Sequence, residues 1–196
     1  LNKFKYSKIL IRKKPIILMA SRLIADKGVY EYIKSIRYLN NFGFKSTNLL
    51  IGNVDLENPS AIKLSEIKEW EKEGIIKYHK HTNNIKNFIR KSTIVVLPSY
   101  REGFPKILIE AAACGRPAVT TNVPGCRDAV VNNKTGVLVP PKNFIKLAQS
   151  IQRILNNKRL LNFMNISSRK HAEKNFNVSN VVSKHINIYN SLNSNN

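Results

Sequence analysis

TIVVLPSYREGFPKILIEAAACGRPAVT, residues 93–120, decides the fold. It opens on Thr93-Ile94-Val95-Val96-Leu97, a short continuous apolar run that predicts a strand buried on both faces. Pro98 to Phe104 reads as a loop. Pro105 to Cys114 reads as a helix, with proline at the first helical position, where its missing amide hydrogen costs nothing, and Gly115 as its stop. Pro117-Ala118-Val119-Thr120 then begins another buried strand. Strand, helix and strand in succession form the crossover unit of a parallel sheet.

The same alternation extends outward in both directions. Pro15-Ile16-Ile17-Leu18-Met19-Ala20 reads as a doubly buried strand. After Asp26-Lys27-Gly28, the helical spacing of Val29, Tyr32, Ile33 and Ile36 predicts a helix to about Leu39. Asn48-Leu49-Leu50-Ile51-Gly52 is the next strand, and Asn58-Pro59-Ser60 is expected to open a helix through Trp70. Ile75-Ile76-Lys77-Tyr78 is a short strand, Ile85 to Arg90 a short helix, and Gly136-Val137-Leu138-Val139 a further strand. From Asn143 the pattern is helical, with Phe144, Leu147, Ile151, Ile154 and Leu155 on one face, and Asn193 to Asn196 are expected to fray. The fold class is therefore α/β, one domain whose parallel sheet carries helices on both faces. Right-handed crossovers in such a domain place ligands at the carboxyl ends of the strands.

Composition bounds the function without choosing it. At 196 residues the chain can bury one sizeable core. No window approaches the roughly 18 uninterrupted apolar residues of a membrane span, and Leu1 to Leu10 lacks the apolar core of a secretory signal. The two cysteines, Cys114 and Cys126, are too few and too far apart for a disulfide scaffold or zinc finger, and suit a reducing cytoplasm. The formal net charge of +21 suits a partner with a phosphate surface. It equally suits compositional drift, because lysine, asparagine and isoleucine are abundant throughout and the lysines are spread along the chain. An aromatic-interleaved basic motif of the RNA-binding kind is missing.

Three loops after strands hold the candidate chemistry. In Ser21-Arg22-Leu23-Ile24-Ala25-Asp26-Lys27-Gly28, Arg22 offers a forked donor and Lys27 a point charge, as a pyrophosphate would require. Two cations alone are also what a solvated surface presents. In Ser99 to Glu110, Gly103 permits close backbone approach, and the helix start at Pro105 and Lys106 offers free amides to an anion. Helical spacing from Glu102 to Glu110 brings the two carboxylates within about 80° of one side, so both are expected to reach one extended ligand. Glu110 sits in an otherwise apolar helix, where a carboxylate needs partners. The third loop, Thr120 to Asp128, reads equally as a ligand-facing segment or as a plain turn rich in Asn, Pro and Gly.

Other chemistries lack their motifs. Neither a Gly-x-Gly-x-x-Gly after the first strand nor a Walker-type Gly-Lys-Ser/Thr occurs. His79 and His81 would share a strand face, but no third ligand lies nearby for a metal.

Ser21-Arg22-Leu23 with Gly28, the Glu102-x7-Glu110 spacing around Gly103-Phe104-Pro105, and Pro124-Gly125-Cys126-Arg127-Asp128 together resemble the family 4 retaining glycosyltransferases. The likeness is greatest to those of bacterial capsular and lipopolysaccharide synthesis. It runs from Leu1 to about Leu192. It implies the GT-B fold, two Rossmann-like domains around a cleft, of which this chain corresponds to the C-terminal, donor-binding half. Residues 1–14 then correspond to the end of the interdomain linker and 178–192 to the last helix, which crosses back over it. The acceptor domain would be a separate N-terminal unit, and the chain on its own a donor domain or an inactive fragment of a split or degraded gene.

The resemblance further implies that Arg22 and Lys27 neutralise the leaving diphosphate of a nucleotide-diphosphate sugar, most commonly UDP-linked. Glu102 would take sugar hydroxyls, helped by amides around Gly103, Phe104, Pro105 and Lys106. Glu110 would hold the ribose, and the stretch containing His81 and Ile85 would border the base. Lys80, Asn83 and Asn84 depart from the family's glycine and acidic residues there. Transfer would proceed with retention, without metal or other cofactor, by electrostatic stabilisation of the departing diphosphate. The expected setting is the cytoplasm, with peripheral contact to an anionic membrane and no specific nucleic acid.

Overall fold

The computed structural model describes residues 4–193. Among them, six parallel strands form one sheet: β1 (Ile16–Ala20), β2 (Thr47–Ile51), β3 (Lys77–His79), β4 (Ile94–Leu97), β5 (Ala118–Thr121) and β6 (Gly136–Val139). Their spatial order is β3-β2-β1-β4-β5-β6. Ile16 to Ala20 pair in register with Thr47 to Ile51 on one side, and Ile17 and Leu18 pair with Ile94 and Val95 on the other. The chain thus winds outward from β1 in one direction and from β4 in the other. A crevice opens at their carboxyl ends, the usual place for a ligand in a doubly wound sheet.

Each strand is apolar on both faces because both faces are covered. On one face Ile17, Met19, Leu50, Val96 and Val119 pack under α1 (Val29–Asn41) and α6 (Phe144–Asn156). On the other, Leu18, Ile51, Val95 and Leu97 pack under α3 (Ile85–Lys91), α4 (Lys106–Ala113) and the short α5 (Cys126–Ala129). The apolar positions of α1 recur at helical spacing as Val29, Tyr32, Ile33, Ile36 and Leu39, all buried. Buried Tyr32 donates its hydroxyl to the carbonyls of Ile17 and Leu49 at 3.1 and 3.2 Å, bonding the helix to the sheet.

α7 (Lys158–Asn175) packs on α4 rather than on the sheet, and α8 (Val178–Asn193) follows it. The entering segment, residues 4–14, has neither helix nor strand and is mostly exposed, with hydrogen bonds to α7. Arg169 donates to the carbonyls of Phe4 and Ala113 at 3.0 and 2.7 Å, and Tyr6 donates to Asn165 at 2.7 Å. The expected linker residues Leu1 to Lys3 and the expected fraying at Ser194 to Asn196 lie outside the described residues.

Three expectations need correction. The helix expected from Asn58 begins at Leu64, as α2 (Leu64–Lys72). Asn58 instead accepts bonds from the Ser60 amide and hydroxyl, a local turn that competes with helix, and Ala61 bridges back to Ile24. Pro105 precedes α4 rather than starting it, because its ψ of 113° is extended. The continuous helical pattern after Asn143 breaks at Asn157 and again at Phe176 and Asn177. The Asn157 side chain caps α7 through the Leu160 amide at 2.9 Å.

Candidate functional site

A cavity of about 630 Å³ opens at the carboxyl ends of β1 and β2 and against the start of α4. Its walls come from the loops that follow β1, β2 and β3, and from the first turns of α3 and α4. Arg22, His81, Ile85, Lys106 and Glu110 all line it. The volume lies within the range of small-molecule sites. Arg22 is largely exposed and is held by Asp55, 3.1 Å away on the opposite loop. Asn53, on the same loop, accepts the His81 backbone amide at 3.0 Å, fixing how that residue enters the wall.

Lys27 and Glu102 form a second cluster beside this cavity. Their ion pair is 2.6 Å long, with side chains only 18% and 11% exposed. The Ser99 hydroxyl donates to the same Glu102 oxygen at 2.7 Å. Partial burial makes such a pair costly to break, because removing one partner strands the other's charge.

The loops that carry both clusters are bound to one another through their backbones. The Tyr100 amide donates to the Asp26 carbonyl at 2.8 Å, and the Thr121 hydroxyl donates to the Ser99 carbonyl. Gly28, at φ 74°, sits where a Cβ would come within 2.2 Å of the Pro98 carbonyl oxygen. Gly125, at φ 71°, sits where a Cβ would meet the Gly103 carbonyl oxygen at 2.1 Å. Glycine is required at both crossings by conformation and by space. The segment Thr120 to Asp128 thus packs against the loop that carries Glu102, and it runs into the short helix α5 in place of a plain turn.

Gly103 differs from both. It lacks a positive φ, and nothing stands within 4 Å of where its Cβ would be. Each of the other seven glycines has a positive φ or a backbone crowding its Cβ position. Neither folding nor packing asks for glycine at position 103, which leaves open space in front of this loop's backbone, just before α4. Pro105 supplies no capping side chain to the first amides of that helix, so they present partial positive charge.

Two titrations bear on the chemistry. Burial, then the Glu31 carboxylate that the phenol bonds, and then the Asp26 charge push the Tyr100 hydroxyl up, keeping it a protonated donor. Burial likewise pushes the Cys126 thiol up, against the opposing hydrogen bonds of Thr120 and Thr121. A thiol so placed is an inert packing group rather than a nucleophile.

The structure brings together five of the ten expected site residues, Arg22, His81, Ile85, Lys106 and Glu110, in one cavity wall. Lys27 and Glu102 are placed together but engage each other. The expectation that Glu102 and Glu110 share one helical side does not hold, because residues 102–105 are not helical and the 100° step does not apply to them. Phe104 packs its ring against Phe176, with centroids 5.6 Å apart. Pro105 is buried. His79 and His81 do not share a strand face, since β3 ends at His79, whose ring packs against Phe88. The residue pattern does not single out Asp55 and Asn53, or the Ser99 hydroxyl as a partner of Glu102. A signal existed, since an Asn and an Asp directly after a buried strand occupy a carboxyl-end loop.

Residues 2–171 match the family model "Glycosyl transferases group 1". The chain is 32% identical over 172 residues to a capsular polysaccharide biosynthesis glycosyltransferase of Staphylococcus aureus, covering 88% of this chain and 44% of that one. It is 36% identical over 150 residues to the N,N'-diacetylbacillosaminyl-diphospho-undecaprenol alpha-1,3-N-acetylgalactosaminyltransferase of Campylobacter jejuni, covering 76% and 38%. Among solved structures, a glycosyltransferase from Rickettsia africae superposes with a TM-score of 0.83 at 25% identity, covering 94% and 49%. Anabaena HepE in complex with UDP superposes with a TM-score of 0.81 at 20% identity, covering 91% and 49%. The chain thus spans less than half the length of the relatives it matches. Its Rossmann-like sheet is one half of a GT-B fold, and the chain belongs to the group 1 glycosyl transferases.

Proposed function

We propose that this chain is the donor-binding half of a retaining glycosyltransferase. In this proposal it moves a sugar from a UDP-linked donor to a polysaccharide or lipid-linked acceptor at the cytoplasmic side of a membrane. A second, N-terminal domain supplies the acceptor side of the cleft. The observation that carries the reading is the placement of Arg22 and Glu110 in one cavity at the carboxyl ends of β1 and β2, against α4. A guanidinium suits the diphosphate and a carboxylate suits vicinal ribose hydroxyls. That a protein of the same fold is solved with UDP supports uridine as the base.

In this reading His81 and Ile85 border the base, and Lys106 with the first amides of α4 faces the phosphates. The sugar lies past Gly103, whose open backbone lets it approach. Lys27 and Glu102 neutralise each other until the donor arrives. The diphosphate then draws Lys27, and Glu102 is released to accept sugar hydroxyls. Negative charge growing on the departing diphosphate is stabilised by Arg22, Lys27 and the helix amides.

Calorimetric titration with UDP tests this. Saturable binding is expected, weakened about tenfold or more by Arg22→Ala or Glu110→Ala, each of which removes a charge-assisted bond. Absence of binding at millimolar UDP, or equal binding by both variants, would reject it.

A further inference from the structure

Two carboxylates, Asp55 and Glu110, line a cavity whose proposed ligand is itself an anion. Glu110 has a use there, since ribose hydroxyls donate to carboxylates. Asp55 instead contacts the cation that a diphosphate needs. Among the described residues its carboxylate accepts one hydrogen bond, from Arg22 Nη1 at 3.1 Å.

That contact is not what holds the two loops together. The Leu23 amide donates to the Asn53 carbonyl at 3.0 Å, the Ala25 amide to the Ser60 carbonyl at 2.8 Å, and the Ile62 amide to the Leu23 carbonyl at 2.9 Å. The loop after β1 is thus fastened to the loop after β2 by backbone on both sides of Asp55. Asn58 closes the far end of the second loop on Ser60 through its side chain. Removing the Asp55 charge leaves all of these bonds in place.

Topology gives the contact a direction. β1 lies between β2 and β4, so Asp55, after β2, draws the Arg22 guanidinium toward the β2 side. The uncapped first amides of α4 and the Lys27–Glu102 pair stand on the β4 side. An anion drawn to those amides lies across β1 from Asp55. The two ion pairs also differ in strength. Arg22 and Asp55 are 64% and 28% exposed and share a single bond, whereas Lys27 and Glu102 are 18% and 11% exposed. An exposed pair is weakly held, and breaking a buried one strands a charge. Arg22 therefore changes partner readily and Lys27 reluctantly.

We infer that Asp55 is a positioning residue that competes with the diphosphate for Arg22. It keeps the guanidinium on the β2 side before the donor arrives, yields it to the phosphates, and takes it back as UDP departs. Its effect is to weaken nucleotide binding and to speed release of the spent nucleotide. The inference rests on the nucleotide reading of the cavity and adds to it a residue that works against affinity.

UDP titration by calorimetry, with dissociation rates from stopped-flow displacement, tests it. Asp55→Asn keeps the shape and removes the charge. It should bind UDP about threefold to fivefold more tightly, with most of the change in a slower dissociation rate. Glu57→Gln removes the same charge from an exposed position on the same loop, outside the cavity wall, and should bind as wild type does. In an Arg22→Ala background, Asp55→Asn should bring no further tightening, because no guanidinium remains to be freed. All variants should keep wild-type circular dichroism. A residue that merely pre-orients Arg22 gives the opposite sign, so weaker binding by Asp55→Asn would overturn the inference. Unchanged binding, equal tightening by Glu57→Gln, or tightening that survives Arg22→Ala would overturn it as well. Failure of the wild-type chain to bind UDP rejects the nucleotide reading and this inference together. Wild-type binding without the Asp55→Asn effect rejects the role of Asp55 alone.

Discussion

Arg116 is almost wholly buried, at 1% exposure, yet it carries a guanidinium. Its five hydrogen bonds run to the carbonyls of Ile89, Arg90, Ser7 and Cys114 and to the Ser7 hydroxyl. Burial lowers its pKa to about 10, so the group remains charged at neutrality. Those bonds tie the entering segment to the ends of α3 and α4. Arg116→Ala should cost about 3 kcal/mol or more in urea unfolding, since several buried carbonyls lose their donor together. His171 carries a different signature. Burial, and then Lys134, depress its pKa, so the unfolded chain takes up a proton first as pH falls. Stability should therefore be full above the ordinary histidine range and decline on acidification through it. The drop in melting temperature from pH 7 to pH 5 should be smaller in His171→Gln. An equal drop would show that His171 does not contribute. Position 103 gives a third case. Gly103→Ala should leave stability within about 1 kcal/mol, because no strained φ is involved, while weakening binding of a nucleotide sugar. Gly125→Ala should cost well over about 1 kcal/mol, since its Cβ meets a carbonyl at positive φ.

At the scale of elements, the binding surface consists of loops held to loops. Thr121 donates to the Ser99 carbonyl, Ser99 donates to Glu102, and Glu102 pairs with Lys27. Thr121→Val should leave that carbonyl unsatisfied, cost about 1 kcal/mol, and speed amide exchange in residues 98–105 more than in β5. Uniform protection across both segments would show that the loop holds itself. The strands and most helices were legible because period and burial coincide in a parallel sheet, as Ile94 to Leu97 illustrate. The start of α2 was not legible, because the Asn58 side chain accepts from Ser60, two residues on, and closes a local turn in place of capping a helix. Helix-based geometry between Glu102 and Glu110 failed for a related reason. Proline at 105 marks the helix entrance correctly, but everything before it is loop, and loop direction is set by Gly28 and Gly125 from distant strands. Asp55 escaped notice because its role depends on Arg22, which only folding brings across from β1.

For the whole molecule, strand order decides where chemistry can occur. With β1 and β4 adjacent at the centre, the loop after β1 that carries Arg22 and the helix after β4 that carries Glu110 face one crevice. This was legible in outline from the alternation of strands and helices, together with Arg22 and the Glu102 to Glu110 motif. The meeting of Arg12 and Lys13 with Lys45 was not, because residues far apart in sequence meet only through the parallel topology. Chemical-shift mapping on the isotopically labelled chain tests the central claim most directly. Titration with UDP should move the amides of residues 20–28, 52–55, 79–85 and 103–110, and leave those of 8–14 and 42–46 in place. Saturating shifts confined to any other surface, or none at millimolar UDP, would contradict the assignment of this cavity as the nucleotide site.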